Sequence, residues 1–313
     1  VIHPYSLKLY NIEIPDYDMV QTPVIPVAVS LKYQTHWIYN DEFAEIHLKD
    51  ITARNMMGGF VPSAGVGTAL SRRALNTLEK INGGSPFSKN SLTEDYDSAL
   101  KIHLAHLKTR FLFKTLPQTK PAKKWIWFGK TINKSTKEYI ATRSLFPKTY
   151  RAALRQRTRW MMGISLQEWN NIGWPGDFVT LYSLAHDRKS VFSNFITLIA
   201  YLVSVYWLID YIYGEFFPGT PVLSQLLAQH PSAYVLIVIC SSFMIIRLTQ
   251  RFLLTARIYG FWAGLTSIPR VFYANFLNAN TAFLAIYLFL KAKFFKKTIQ
   301  WIKTTNAFPT DIK

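Results

Sequence analysis

Apolar residues follow two different rhythms along this chain, and the change falls near Ser190. Before that point, short apolar runs alternate with segments in which apolar residues recur every three or four positions. That is the pattern of strands interleaved with amphipathic helices. DMVQTPVIPVAVS (18–30) is β-branched and punctuated by proline, which predicts a strand and its exit. THWIYNDEFAEIHLKDITARNMM (35–57) predicts a helix, and GGFVPSAGVGTALSRRALNTLEKI (58–81) a glycine-rich strand and turn leading into another. In LTEDYDSALKIHLAHL (92–107), Leu100, Leu104 and Leu107 share one side of a helix. RFLFKTLP (110–117) and KWIWFGK (124–130) are apolar enough for strands, and TYRAALRQRTRWMMGISLQEW (149–169) reads as a helix. Strands alternating with helices predict an α/β layered domain.

After Ser190 the apolar positions become continuous. VFSNFITLIAYLVSVYWLIDYIY (191–213) is long enough for a bilayer span of about 20 residues, with Asp210 near its far end. SAYVLIVICSSFMII (232–246) is a second uncharged run. The linker between them, 214–231, holds Glu215 and no Lys or Arg, whereas HDRK precedes the first run and Arg247, Arg251 and Arg257 follow the second. The positive-inside rule then predicts a transmembrane hairpin with an external linker and cytoplasmic flanks. VFYANFLNANTAFLAIYLFL (271–290) also has the length to span. Asn275, Asn278 and Asn280 crowd its first half, however, and the basic KAKFFKK follows it. A helix in the cytoplasmic interface is therefore expected there, with a third span as the alternative.

Charge sharpens this division. The chain has 313 residues and a formal net charge of +18, with half its residues hydrophobic and 15% aromatic. A membrane surface bearing anionic lipid and nucleic acid both suit such a composition. Sixteen Lys and Arg face a single acid, Glu138, between Lys101 and Trp160. A nucleic-acid binder explains this basic segment but not the apolar runs. Cys240, the single cysteine, excludes a disulfide framework and a cysteine-based zinc site.

Against this basic background, SLTEDYDSAL (91–100) places three carboxylates, Glu94, Asp95 and Asp97, at a helix start. Ser91 with Glu94 reads as a capping box, and acids suit the positive end of a helix. On the 149–169 helix, Gln156, Arg159 and Trp160 stand at i, i+3 and i+4, so they share a face, with Arg151, Arg155 and Arg159 as a stripe beside them. An interfacial amphipathic helix explains that face; so does a set of donors to a diphosphate with a flat ring for a sugar. Gly65 and Gly67 match no phosphate-binding fingerprint and read as tight backbone or a plain turn. His103 and His106 read as surface or core histidines rather than metal ligands, and Asp16 and Asp18 as turn residues.

TED at 93–95, followed by QRTRW at 156–160 and then by membrane helices, resembles the processive family-2 glycosyltransferases, the cellulose-synthase-like group. The resemblance implies a GT-A-type α/β glycosyltransferase fold with the aspartate of T-E-D as general base. Asp95 is then the base, within Thr93-Glu94-Asp95, Gln156 and Arg159 of the QRTRW segment (with Arg157 between them) bind the diphosphate, and Trp160 is the acceptor platform. Gly65 and Gly67 would line the acceptor channel. A narrower resemblance runs through VIHPYSLKLYN, GGFVPSAGVGTALSRRAL and SIPRVFYANFLNANTAF to the bacteriophage adsorption protein B group. Those are multi-pass proteins of the bacterial inner membrane belonging to exopolysaccharide secretion systems, which implies a cytoplasmic catalytic part and an outer-membrane secretion partner.

What the resemblance implies for activity is inverting transfer of a sugar from a nucleotide-sugar donor, UDP-linked, to a growing polysaccharide. A carboxylate takes the acceptor proton, and Arg159 with a divalent cation (Mg²⁺ or Mn²⁺) stabilises the leaving diphosphate. In that family a D-x-D-type motif just before the match to VIHPYSLK holds the metal, so the chain is expected to be N-terminally truncated and without these ligands. It is likewise expected to end before the cyclic-di-GMP module of its relatives. The expected organisation is an acceptor-side glycosyltransferase part with its closing helix over 1–185, a transmembrane hairpin over 186–255, and interfacial helices with a tail over 256–313. A non-catalytic membrane scaffold is the rival expectation.

Overall fold

The computed structural model describes residues 1–123, 131–217 and 229–295; KWIWFGK, most of the linker and the terminal WIKTTNAFPTD lie outside them. In chain order, helix α1 (Ser6–Glu13) precedes strands β1 (Met19–Gln21) and β2 (Val24–Pro26). Helix α2 (Gln34–Glu45) passes through a π-helical turn, Ile46–Asp50, into α3 (Ile51–Met56). Strand β3 (Thr68–Leu70), α4 (Arg72–Ile81), α5 (Glu94–Leu104) and strands β4 (Thr109–Phe111), β5 (Thr115–Lys123), β6 (Thr131–Tyr139) and β7 (Thr142–Ser144) follow. Helix α6 (Tyr150–Met161) runs through a second π-helical segment, Met162–Gln167, into α7 (Glu168–Ile172) and α8 (Phe178–Arg188). The last helices are α9 (Ser190–Phe216), α10 (Pro231–Tyr259) and α11 (Phe261–Phe294).

These elements form two compact units, and the first comprises residues 1–27, 46–145 and 172–184. Its central strand β1 pairs antiparallel with β3 (Val20 opposite Ala69) and parallel with β4 (Val20 opposite Arg110). Strand β2 pairs parallel with β7, and β5 with β6 form an antiparallel ribbon. Every residue of β1 and β2 is buried, the polar Gln21 at the end of β1 included. Val20 packs with Tyr10 and Leu112, which seats α1 on the sheet. Asp18 is a structural acid: its carboxylate accepts hydrogen bonds from Arg73, from the Ser71 hydroxyl at 2.9 Å and from the Lys108 N–H at 3.0 Å. Burial works to raise its pKa, but these donors outweigh it and hold the carboxyl below its ordinary range. The Ser71 hydroxyl also caps α4 by accepting from the Ala74 N–H.

The second unit comprises residues 28–45, 146–171 and 185–313, and α2 is its hub. Three acids of α2 each take an arginine from a different helix. Asp41 accepts Arg270 of α11 at 2.8 and 2.9 Å, Glu45 accepts Arg251 of α10 through two bonds of 2.8 Å, and Glu42 pairs with Arg157 of α6 at 2.8 Å. Asp41 and Arg270 are almost wholly buried (0% and 3% exposed), so each needs the other to offset its desolvation. Ile38 and Tyr39 of α2 pack with Ala153, Ala274 and Leu277 in the core between these helices.

Helices α9, α10 and α11 are each long and apolar enough to cross a membrane. The most apolar stretches of α9 and α10 bury none of their residues, whereas 39% of that of α11 is buried. Instead of starting with the apolar run at Val271, α11 is continuous from Phe261. Gly260, at φ +93°, makes the turn from α10, and a Cβ at Gly264 would lie 2.7 Å from the Phe252 carbonyl oxygen and from the Ala256 Cβ. The α10–α11 hairpin thus closes backbone to backbone at a residue without a side chain. Partners account for all three asparagines of α11: Asn275 donates to the Tyr201 hydroxyl, Asn278 bonds Arg157 and Glu42, and Asn280 donates to the Phe276 carbonyl.

Candidate active site

In the first unit, the three carboxylates at the start of α5 meet three different environments. Glu94 is exposed. Asp97 is buried and bound by Lys101 at 2.7 Å, one turn on, and Lys101 also donates to Asn82. Asp95 is half-buried, its Oδ1 accepting the neighbouring Tyr96 N–H at 2.9 Å. The expected capping box is absent. Thr93 is the cap residue and makes no side-chain capping bond, while the Ser91 hydroxyl accepts from the Thr93 N–H at 3.2 Å. With Thr93 as the cap, Glu94 is the first helical residue and Ser91 lies outside the helix, so the pair is out of capping-box register.

Asp95 lies against the glycine loop. A Cβ at Gly65 would sit 2.8 Å from Asp95 Oδ2, and Gly65 has φ +70°. Gly67, at φ +68°, leaves no more room: a Cβ there would approach the Thr142 hydroxyl to 2.6 Å and the Thr22 hydroxyl to 2.9 Å. The loop is held from beneath by Gln21, wholly buried at the end of β1. Its Nε2 donates to the carbonyls of Thr22, Val66 and Gly67, and its Oε1 accepts from the Ala64 N–H and the Thr68 hydroxyl. Thr22 adds an N–H and a hydroxyl, both to the Gly67 carbonyl, and its Oγ1 shares a 2.7 Å bond with the Tyr10 hydroxyl. The Thr93 and Thr142 hydroxyls are buried with no hydrogen-bond partner among the described residues. A partly exposed carboxylate at a helix start, beside a position with no side chain, is placed to receive a proton from an approaching hydroxyl.

In the second unit, α6 carries Gln156, Arg157, Arg159 and Trp160. Gln156 is buried, and its Oε1 has no hydrogen-bond partner among the described residues. Trp160 is half-buried, its ring centroid 6.1 Å from Tyr39, 6.3 Å from Phe146 and 6.4 Å from Phe43. Arg159 is half-buried, and Arg151 and Arg155 are exposed. Arg157 is engaged elsewhere. Buried beside the Tyr39 ring, 4.3 Å from its centroid, it pairs with Glu42 and donates to Asn278 Oδ1 at 2.8 Å. The helix then loosens into the π-helical Met162–Gln167 turn. Asp95, Thr93, Glu94, Gly65 and Gly67 thus belong to one unit, and the QRTRW residues to the other.

Comparison with known proteins decides the family. Residues 1–217 match the family model described as glycosyl transferase family group 2. The chain belongs to that family. Two similar proteins, bacteriophage adsorption protein B of Escherichia coli K12 and bacteriophage N4 adsorption protein B of Escherichia coli O157:H7, are each 32% identical over 99% of this chain. The chain spans 41% of the length of these relatives.

For this family-2 chain, the described residues do not fit a divalent cation. No three His, Cys, Asp or Glu side chains converge among them, and Asp18 and Asp97 are taken by Arg73 and Lys101. His103 bonds the Thr180 hydroxyl at 2.8 Å, and burial pushes its pKa down against the opposing pull of Asp177. Sequence reading missed Gln21 and Glu42, and took Asn278 only as a mark against a membrane span. Glu42 carried a signal, the unusual acid density of NDEFAE in a basic chain.

Proposed function

We propose that this chain carries out inverting transfer of a sugar from a nucleotide-sugar donor, UDP-linked, to a growing exopolysaccharide at the cytoplasmic face of a bacterial inner membrane. Asp95 acts as general base. Gln156 and Arg159 bind the diphosphate, and Trp160 offers a face to the acceptor sugar. The observation that carries the reading is the half-buried Asp95 carboxylate lying against Gly65, in the place a side chain there would fill. Support also comes from α6, where a buried amide, a guanidinium and an indole are carried on one helix that Glu42 fixes through Arg157. Arg157 then positions the helix rather than touching the donor.

In this reading α9 and α10 cross the membrane, and α11 lies at the cytoplasmic interface. The basic C-terminal end of α10, and the polar face that α11 turns to α2 and α6, support that placement. This chain's own residues hold the acceptor proton at Asp95 and bind the donor at Gln156 and Arg159. The test is to incubate membranes bearing the protein with labelled nucleotide sugars and Mg²⁺ or Mn²⁺. Incorporation into polymer from one donor is expected. No incorporation from any of them would favour a non-catalytic membrane scaffold.

A further inference from the structure

Away from Asp95 and the QRTRW residues, the second unit holds a cleft of about 540 Å³ lined by Lys32, Gln34, Thr35, Lys148, Arg270 and Tyr273, with Pro269 of α11 in its wall. Lys32 and Lys148 come from distant parts of the chain yet flank the same ring: their Nζ atoms lie 5.1 and 4.6 Å from the centroid of Tyr33. Arg270 at the base is already neutralised by Asp41, and the Thr35 and Tyr273 hydroxyls share a 2.8 Å bond. No carboxylate lines the cleft, and neither lysine pairs with one among the described residues. Two ammonium groups near one ring, with no carboxylate beside them, leave positive charge at the cleft that a bound anion would offset.

We propose that this cleft binds a phosphate group. Two point-like ammonium donors, with hydroxyl and amide groups beside them, suit a tetrahedral multiply charged oxyanion. The phosphate can be that of an anionic lipid headgroup or a free phosphate. Location favours the lipid, because the same unit carries all three long apolar helices and Pro269 and Tyr273 belong to one of them. Lysines near an anionic membrane surface are attracted to its headgroups. The site does not depend on the catalytic reading of Asp95.

The test titrates the whole protein in neutral detergent with short-chain phosphatidylglycerol, with diacylglycerol lacking a phosphate, and with inorganic phosphate, counting bound ligand by native mass spectrometry. Lys32→Gln/Lys148→Gln should weaken phosphatidylglycerol binding by about tenfold, the scale of losing charge-assisted hydrogen bonds, and leave diacylglycerol unchanged. Lys80→Gln/Lys89→Gln, which removes equal charge from exposed positions of the other unit, should leave all three unchanged. If only inorganic phosphate responds to Lys32→Gln/Lys148→Gln, the site stands with free phosphate as its ligand. Undiminished binding of both phosphate ligands by that variant, or equal weakening by the two double variants, overturns the proposal.

Discussion

The carboxylate of Asp95 occupies the space that a side chain at Gly65 would fill. With φ at +70°, Gly65 is in the left-handed region where any other residue is strained. Gly65→Ala therefore both strains the loop and displaces Asp95. A stability loss of about 1 kcal/mol is expected, together with a loss of sugar transfer well beyond what that destabilisation explains. Transfer at fixed protein level, beside the apparent Tm, separates the two effects.

Gln21 is the support of that loop. Gln21→Leu keeps the volume but leaves the Val66 carbonyl and the Ala64 N–H without their present partner, at roughly 1–3 kcal/mol for each group left unsatisfied. A lower apparent Tm and faster proteolytic cleavage within residues 63–68 are expected. An unchanged cleavage rate there would contradict this role.

The acids of α2 make a separable prediction for the second unit. Asp41→Asn leaves the Arg270 guanidinium buried without a counter-charge and should cost about 3–5 kcal/mol. Asp41→Leu combined with Arg270→Met removes both charges and should recover most of that loss, read as apparent Tm in one detergent. Failure of the double variant to exceed Asp41→Asn would contradict the pairing.

Stability should also depend on pH through His103. Burial lowers its folded pKa below the unfolded value of about 6.5, so the unfolded chain takes up the proton first. Its contribution is then fully present above the unfolded pKa and falls as pH drops below about 6.5. Thermal melts of wild type and His103→Gln between pH 7.5 and 5.5 should diverge at the high end and converge at the low end, as His103 loses its advantage.

The strands and helices around the site were legible because burial and periodicity set them locally. The buried run at 18–30 became β1 and β2, and the 92–107 periodicity became α5 over Glu94–Leu104. Family membership was legible in TED and QRTRW, and residues 1–217 match the family model. Less accessible were features that depend on which segments meet. Ser91 had the spacing of a capping residue, but the helix starts later, with Thr93 as its cap. Gln21 stands in an apolar strand with no sign that residues 64–68 would fold over it. The asparagines of α11 looked like a reason to keep that helix out of a bilayer; two of them bond to other helices of the second unit, through Tyr201, Arg157 and Glu42.

The most direct measurement compares wild type with Asp95→Asn in the same membranes, following both polymer synthesis and binding of the nucleoside diphosphate. Loss of the general base should reduce transfer by about 10²–10⁴-fold and leave diphosphate binding intact, because Gln156 and Arg159 are untouched. Undiminished transfer by the asparagine variant would contradict the assignment of Asp95 and leave it as one more acid at the start of a helix.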